Sequence, residues 1–377
     1  MMAVGVMMLL LAGAGWGYEP NTLEVGTTAP DFELPGVDGR NYRLADFVGA
    51  EVLVVIFTCN HCPTAQAYEE RIKKLTADYK DKGVAVVCIS SNDPCALRLD
   101  EMAWSDVGDS FEDMKFRAKD RGFNFPYLYD GDSQEVAKKY GPVTTPHTFI
   151  FDKERKLRYV GRIDSSEWRE KPAAVQDARN AIDALLAGKE VAVAKTKTFG
   201  CSIKWSDKRV MVKKELQELA KEKVTVETID AAGVKELVKN DTKKLRLINV
   251  WATWCGPCKY EFPELVKIYW IYRNRRTTEF ELITISTDPP KATDAVLSFL
   301  KEYQASCKNY HYDSENIYEF IEALDKDWQG GIPYTLLVAP GGKIIYRMMG
   351  TGPGASLEVK KAIVSYYADV LPWWVGE

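Results

Sequence analysis

The sequence predicts an α/β protein: two homologous domains in tandem, each a central mixed β-sheet flanked by helices. Three observations carry this expectation. Two short runs rich in Val, Ile and Leu, Val52–Phe57 and Arg246–Val250, lead into the Cys-x-x-Cys pairs Cys59/Cys62 and Cys255/Cys258. A helical pattern follows each pair, and a second strand-like run follows each helix. From the first Cys of each pair to the Ser closing that second run, Ser90 or Ser286, the distance is 31 residues in both copies.

Each element has a local reason. The apolar, β-branched runs suit buried parallel strands. After Cys62, apolar residues at Ala65, Tyr68, Ile72, Leu75 and Tyr79 share one helical face; after Cys258, Phe262, Leu265, Val266, Tyr269 and Tyr272 do the same. Val84–Ser90 and Phe280–Ser286 are the second strands. Downstream, Thr145-Pro146 and Ile332-Pro333 each precede an apolar run, a turn and another apolar run, the pattern of a β-hairpin. A closing helix uses Val175, Ala178, Ile182 and Leu185, with Gly188 as its stop, and a second spans 357–371. The extra segment 93–124 includes a helix capped by Ser110 and shapes access to the first Cys pair. The expected divisions are a first domain over 20–188, an aperiodic linker over 189–207 and a second domain over 208–377.

Residues 1–17 carry no charge, include an apolar core and end in small residues, as a secretory signal peptide does. No Lys or Arg precedes the apolar core, so an uncleaved anchor is the alternative. Export, to the periplasm or another extracytoplasmic space of a bacterium, would put the thiols in an oxidising compartment. No later apolar run reaches the roughly 18 residues of a bilayer span. Composition fits a globular chain: 377 residues, 46% hydrophobic and 28% charged. The 50 Lys and Arg stand against 54 Asp and Glu, in scattered pairs, so no nucleic-acid groove is expected. Eight Cys in this length do not make a disulfide scaffold.

The chemistry is expected at the Cys pairs. A sulfur at a helix N-terminus is stabilised as thiolate by free N–H groups and the helix dipole. On this reading Cys59 and Cys255 hold the helix tips and attack, and Cys62 and Cys258 resolve the mixed disulfide. A shared zinc site would pair its knuckles over about 15–20 residues, whereas these pairs start 196 apart. A copper site using Cys59, Cys62 and His147 stays open. Of the remaining Cys, Cys88 reads as a buried strand residue and Cys95 as a loop thiol near Cys59. Cys201 lies in the linker, where a thiol can relay between domains, and Cys307 has no evident partner.

Trp251-Ala-Thr-Trp254-Cys255-Gly-Pro-Cys258 resembles the active site of the thioredoxin superfamily, and the resemblance covers nearly everything after the signal. Its continuation through Glu261 is similar to the exported TlpA/ResA-type thiol-disulfide reductases. The resemblance implies two thioredoxin-fold domains, a tuning role for Glu261 and cis prolines at Pro146 and Pro333. It makes Thr145-Pro146, Ile332-Pro333 and Trp254 the substrate-facing residues and requires no cofactor. The buried Asp six residues before the first Cys of thioredoxin is replaced by Asn249 and Leu53. The opening Ala29–Arg40 resembles the redoxin and AhpC/TSA group, and Phe57-Thr58 with Cys62-Pro63-Thr64 echo its peroxidatic loop. The Thr-x-x-Cys spacing of a peroxidase is broken, since Cys59 stands three before Cys62.

Asn60-His61 places an imidazole between the first pair, as in oxidising DsbA-type sites, whereas Gly256-Pro257 is the dipeptide of reducing thioredoxins. Their potentials, about −120 and −270 mV, predict electron flow from the second pair to the first, with His61 tuning the latter. The expected activity is thiol–disulfide exchange with protein substrates, recycled by a redox-chain partner. Two alternatives accompany it. One is a peroxiredoxin-like antioxidant peroxidase with a built-in reductant domain. The other is a non-enzymatic interaction or chaperone module with structural disulfides.

Overall fold

The computed structural model describes residues 18–167, 172–273, 279–352 and 354–370. The proposed signal 1–17 and the last residue of the expected closing helix, Leu371, lie outside them. In the first domain the sheet runs, in space, Tyr127–Tyr129, Val84–Ser90, Val52–Thr58, His147–Phe151, Leu157–Gly161. The first three strands are parallel and the last two antiparallel. The second domain repeats the plan, with Glu227–Ile229, Lys308–Tyr312, Phe280–Ser286, Leu245–Trp251, Tyr334–Val338 and Ile344–Met349 in that order. In both, the central strand is buried along its whole length, which is why its sequence lacks polar alternation. The closing helix of the first domain, Asp177–Leu186, starts after Val175, which is exposed rather than on its buried face.

Strand register equates residues differently from the motif. Thr58 pairs with Ser90, and Trp251 pairs with Ser286. On the other side Phe57 pairs with His147, and Val250 with Tyr334, one residue beyond the prolines in both domains. Thr58 is thus the counterpart of Trp251, and four residues on from each stand Cys62 and Cys255. Cys59 falls opposite Ala252, and Cys258 opposite Ala65. The equal spacing of 31 arises because the connection from helix to second strand is four residues long (80–83) in one domain and seven (273–279) in the other.

Residues 189–207, expected as the linker, pack along the first domain. Lys195 bridges to Val160, Cys201-Ser202 pairs antiparallel with Thr144-Thr145, and Ile203 and Trp205 enter that domain's core. Apolar Ile203 and Trp205 supply the driving force, but two residues are too few to announce a period. The extra segment 93–124 bridges the domains. Its Leu99 and Ala103 join the second domain's core beside the Gly256–Tyr272 helix, and Lys361 pairs with Asp120 at 3.5 Å.

Candidate active sites

The second site matches its expectation closely. The helix Gly256–Tyr272 begins directly after Cys255, whose Sγ caps it by accepting the Cys258 N–H at 3.2 Å. Cys255 and Cys258 form a disulfide. Ile332-Pro333 is cis, and Trp254 and Tyr260 flank the pair at 67% and 70% exposure. Glu261 lies one turn below, only 3% exposed. It accepts hydrogen bonds from Asn249 Nδ2 at 3.1 Å and Thr335 Oγ1 at 3.2 Å. Burial raises the Glu261 pKa, opposed by Thr335 and Thr351. Asn249, singled out for what it replaces, is therefore the residue that holds Glu261.

The first site departs from its expectation. The helix Pro63–Tyr79 begins after the second Cys, so Cys62, not Cys59, is the residue at its tip. Proline is the cause: it lacks the N–H that a helix interior needs, and its fixed φ suits the first helical position. Cys59 and Cys62 are both free thiols, 3% and 0% exposed. Cys59 Sγ lies 3.1 Å from Thr145 Oγ1, and Cys62 Sγ 3.2 Å from the Thr145 carbonyl. Thr145-Pro146 is cis.

The two sulfurs are driven apart electrostatically. Burial, and then its hydrogen bond to Cys62, push Cys59 well above the ordinary thiol value. Burial also opposes ionisation of Cys62, but bonds from the Cys201 and Cys59 thiols and the nearby His61 outweigh it and hold Cys62 well below that value. Of the two sulfurs, Cys62 is the one whose surroundings favour the thiolate.

His61 is buried, and its partner comes from the extra segment. His61 Nδ1 lies 2.5 Å from Asp109 Oδ2. Asp109 Oδ1 accepts the N–H groups of Asn60 and His61 at 2.8 and 3.1 Å, and Asn92 Nδ2 donates to Oδ2 at 2.7 Å. Burial works against the charge on both side chains, yet their mutual attraction prevails: His61 is raised and Asp109 lowered. Sequence reasoning missed Asp109 and Asn92. The one available hint was the length of 93–124.

Among the described residues, Cys59, His61 and Asp109 form the one group whose ligand atoms cluster closely enough for a metal, within 4.8 Å. His147 is not in it. The copper set of Cys59, Cys62 and His147 is therefore not assembled; His147 Nδ1 accepts the Val143 N–H at 3.2 Å, and burial lowers its pKa to about 3. Cys88 and Cys307 are buried free thiols, the latter pushed up to about 12 by burial, and Cys95 is exposed.

Comparisons with known proteins agree with this architecture. Residues 25–160 match the AhpC/TSA family and residues 216–363 match Redoxin. The thiol-disulfide oxidoreductase ResA of Geobacillus thermodenitrificans is 28% identical over 163 residues, 41% of this chain and 82% of that protein. ResA of Bacillus cereus is 27% identical over 161 residues, 40% of this chain and 82% of that one. Among solved structures, a hypothetical protein from Sinorhizobium meliloti is 38% identical, with 50% of this chain and 98% of that chain covered and a TM-score of 0.44.

Proposed function

The chain is a tandem of an AhpC/TSA-family domain and a Redoxin domain, and from that premise we propose that it exchanges disulfides with protein substrates through both Cys sites. The observation that carries the reading is the pair of helix-tip sulfurs, Cys62 and Cys255, each beside a cis proline. At the second site, a substrate thiolate attacks the Cys255–Cys258 disulfide at Cys255. In the reverse sense, Cys255 attacks a substrate disulfide and Cys258 releases the product. Trp254, Tyr260 and the Ile332 backbone offer the docking surface. On this reading Glu261, held by Asn249 and Thr335, tunes the active-site thiols.

At the first site Cys62 takes the attacking role and Cys59 resolves, the reverse of the order read from the motif. A stabilised thiolate favours the reduced form and makes a site more oxidising. His61 and Asp109 therefore support electron flow from Cys255/Cys258 to Cys59/Cys62. Export by residues 1–17 belongs to the same reading, as does recycling by a redox-chain partner.

The peroxidase reading has one observation in its favour: Cys62-Pro63-Thr64 at a helix tip within the AhpC/TSA match. Against it, the hydrogen bonds to Cys62 among the described residues come from Cys201, Cys59 and the Ala65 backbone rather than from an arginine. Insulin-reduction and peroxide-consumption assays on Cys59→Ser, Cys62→Ser, Cys255→Ser and Cys258→Ser decide. Disulfide exchange lost in Cys62→Ser and Cys255→Ser is the expected result. Peroxide turnover that requires Cys62, without disulfide exchange, would replace this reading with the peroxidase.

A further inference from the structure

In the second site the resolving sulfur, Cys258, sits three residues into the helix. The equivalent position of the first site is Ala65, which has no sulfur. Cys62 must therefore find its disulfide partner outside the helix, and two cysteines approach it. Cys59 comes from the preceding loop. Cys201 comes from the segment that the sequence marked as a linker.

We propose that Cys201 is a third redox thiol of the first site, forming an alternative disulfide with Cys62 and carrying the site's oxidation state towards the surface. The proposal rests on the reading of this site as a disulfide-exchange centre. Cys201 is held in place by backbone: it pairs with Thr145, the residue preceding the cis proline, and its N–H donates to Cys62 Sγ at 3.3 Å. Gly200 makes the close approach possible. Its φ is +123°, and a Cβ there would stand 2.1 Å from the Thr145 carbonyl oxygen. Side chains rarely adopt that backbone, and nothing larger than hydrogen fits. Ile203 and Trp205 anchor the strand from the other end in the core.

The three sulfurs differ in access. Cys59 and Cys62 are buried, while Cys201 packs against both and remains partly exposed. Cys201 therefore offers a protein thiol a more exposed sulfur than either member of the Cys59–Cys62 pair. The step conserves electrons. The Cys201 thiol gives up its proton and its sulfur attacks Cys62 Sγ. The Cys62–Cys201 bond forms, the Cys59–Cys62 bond breaks, and Cys59 leaves as a thiolate that takes up a proton. A reductant thiolate then attacks Cys201 and expels Cys62. In this second attack the lower-pKa sulfur, Cys62, is the better leaving group; the first is directed by contact, since the Cys201 N–H already bonds Cys62 Sγ.

Disulfide mapping on the full chain tests this without using enzymatic activity. Reduced Cys59→Ser protein is treated with stoichiometric diamide, free thiols are alkylated, and non-reduced peptides are identified by mass spectrometry. The Cys255–Cys258 disulfide in the same sample verifies oxidation. The expected result is a Cys62–Cys201 crosslink in most molecules; alkylation of both sulfurs would overturn the proposal. Wild-type protein in graded glutathione buffers guards against misfolding of the variant. It should yield both Cys59–Cys62 and Cys62–Cys201 peptides, and Cys59–Cys62 alone would reject the alternative pair. Reduction of the oxidised first site by a protein dithiol should slow at least tenfold in Cys201→Ser, and an unchanged rate would overturn the route to the surface. A crosslink in protein that does not reduce insulin would refute the proposed activity while leaving the third thiol in place.

Discussion

The two Cys-x-x-Cys sites differ in where the helix starts, and that difference reassigns their chemistry. In the second, Cys255 caps the helix and Cys258 lies inside it. In the first, Pro63 delays the helix until after Cys62, leaving Cys59 outside it. The supporting groups differ accordingly. Glu261, Asn249 and Thr335 stand beneath the second site, while the first is locked from the side by Asp109, Asn92 and His61. On the proposed reading, one motif on one fold presents its attacking sulfur from opposite ends, because the helix dipole, rather than the order of the cysteines, favours one sulfur as thiolate.

The largest effect is expected from breaking what the second site lacks. Asp109→Ala strands His61 in the interior, where losing one partner of a buried pair costs about 3–5 kcal/mol. Chemical denaturation measures it. Asp109 is lowered, so its contribution is present above the ordinary Asp value of about 3.9 and fades as pH falls through its folded value. His61 is raised, so its contribution is full below about 6.5 and is lost as pH rises through its folded value. The deficit of Asp109→Ala should therefore be greatest between about pH 4 and 6.5 and shrink on either side.

Next in size is the electrochemical contrast. Replacing Asn60-His61 with Gly-Pro should lower the first site's potential by at least about 30 mV, tenfold in its equilibrium constant. A glutathione titration of that site gives the value, and no change would remove the role of the dipeptide. A third prediction rebuilds one site in the other. Ala65→Cys in a Cys59→Ser, Cys201→Ser background places a sulfur where Cys258 stands, and Cys62 should form a disulfide with it, detectable by mass spectrometry. Failure would contradict the register that equates Cys62 with Cys255. The smallest effect concerns Glu261. Its raised pKa means that the ionised form destabilises the fold as pH rises above the ordinary value of about 4.3. Glu261→Gln should thus raise the denaturation midpoint at neutral pH, a gain that disappears on acidification.

Both domains were legible in the sequence because buried central strands and amphipathic helices leave periods that need no partner to be seen. The prolines after Thr145 and Ile332 and the carboxyl of Glu261 were legible through motif resemblance. The register of the first site was not, because matching Cys to Cys gave the same 31-residue spacing by coincidence of loop length. Pro63 held the correct answer: a proline after Cys62 marks the first helical turn. Asp109 and Cys201 were beyond reach for another reason. Their roles depend on contacts across 48 and 139 residues of chain, from segments without a period.

The central claim, that the first site's thiolate is Cys62, has a direct measurement. Thiolate ultraviolet absorbance is followed against pH in reduced Cys255→Ser/Cys258→Ser protein carrying either Cys59→Ser or Cys62→Ser. The account predicts a thiolate below the ordinary range of about 8.5 that survives Cys59→Ser and vanishes in Cys62→Ser. The opposite pattern, a low-pH thiolate lost with Cys59 and kept without Cys62, would contradict it.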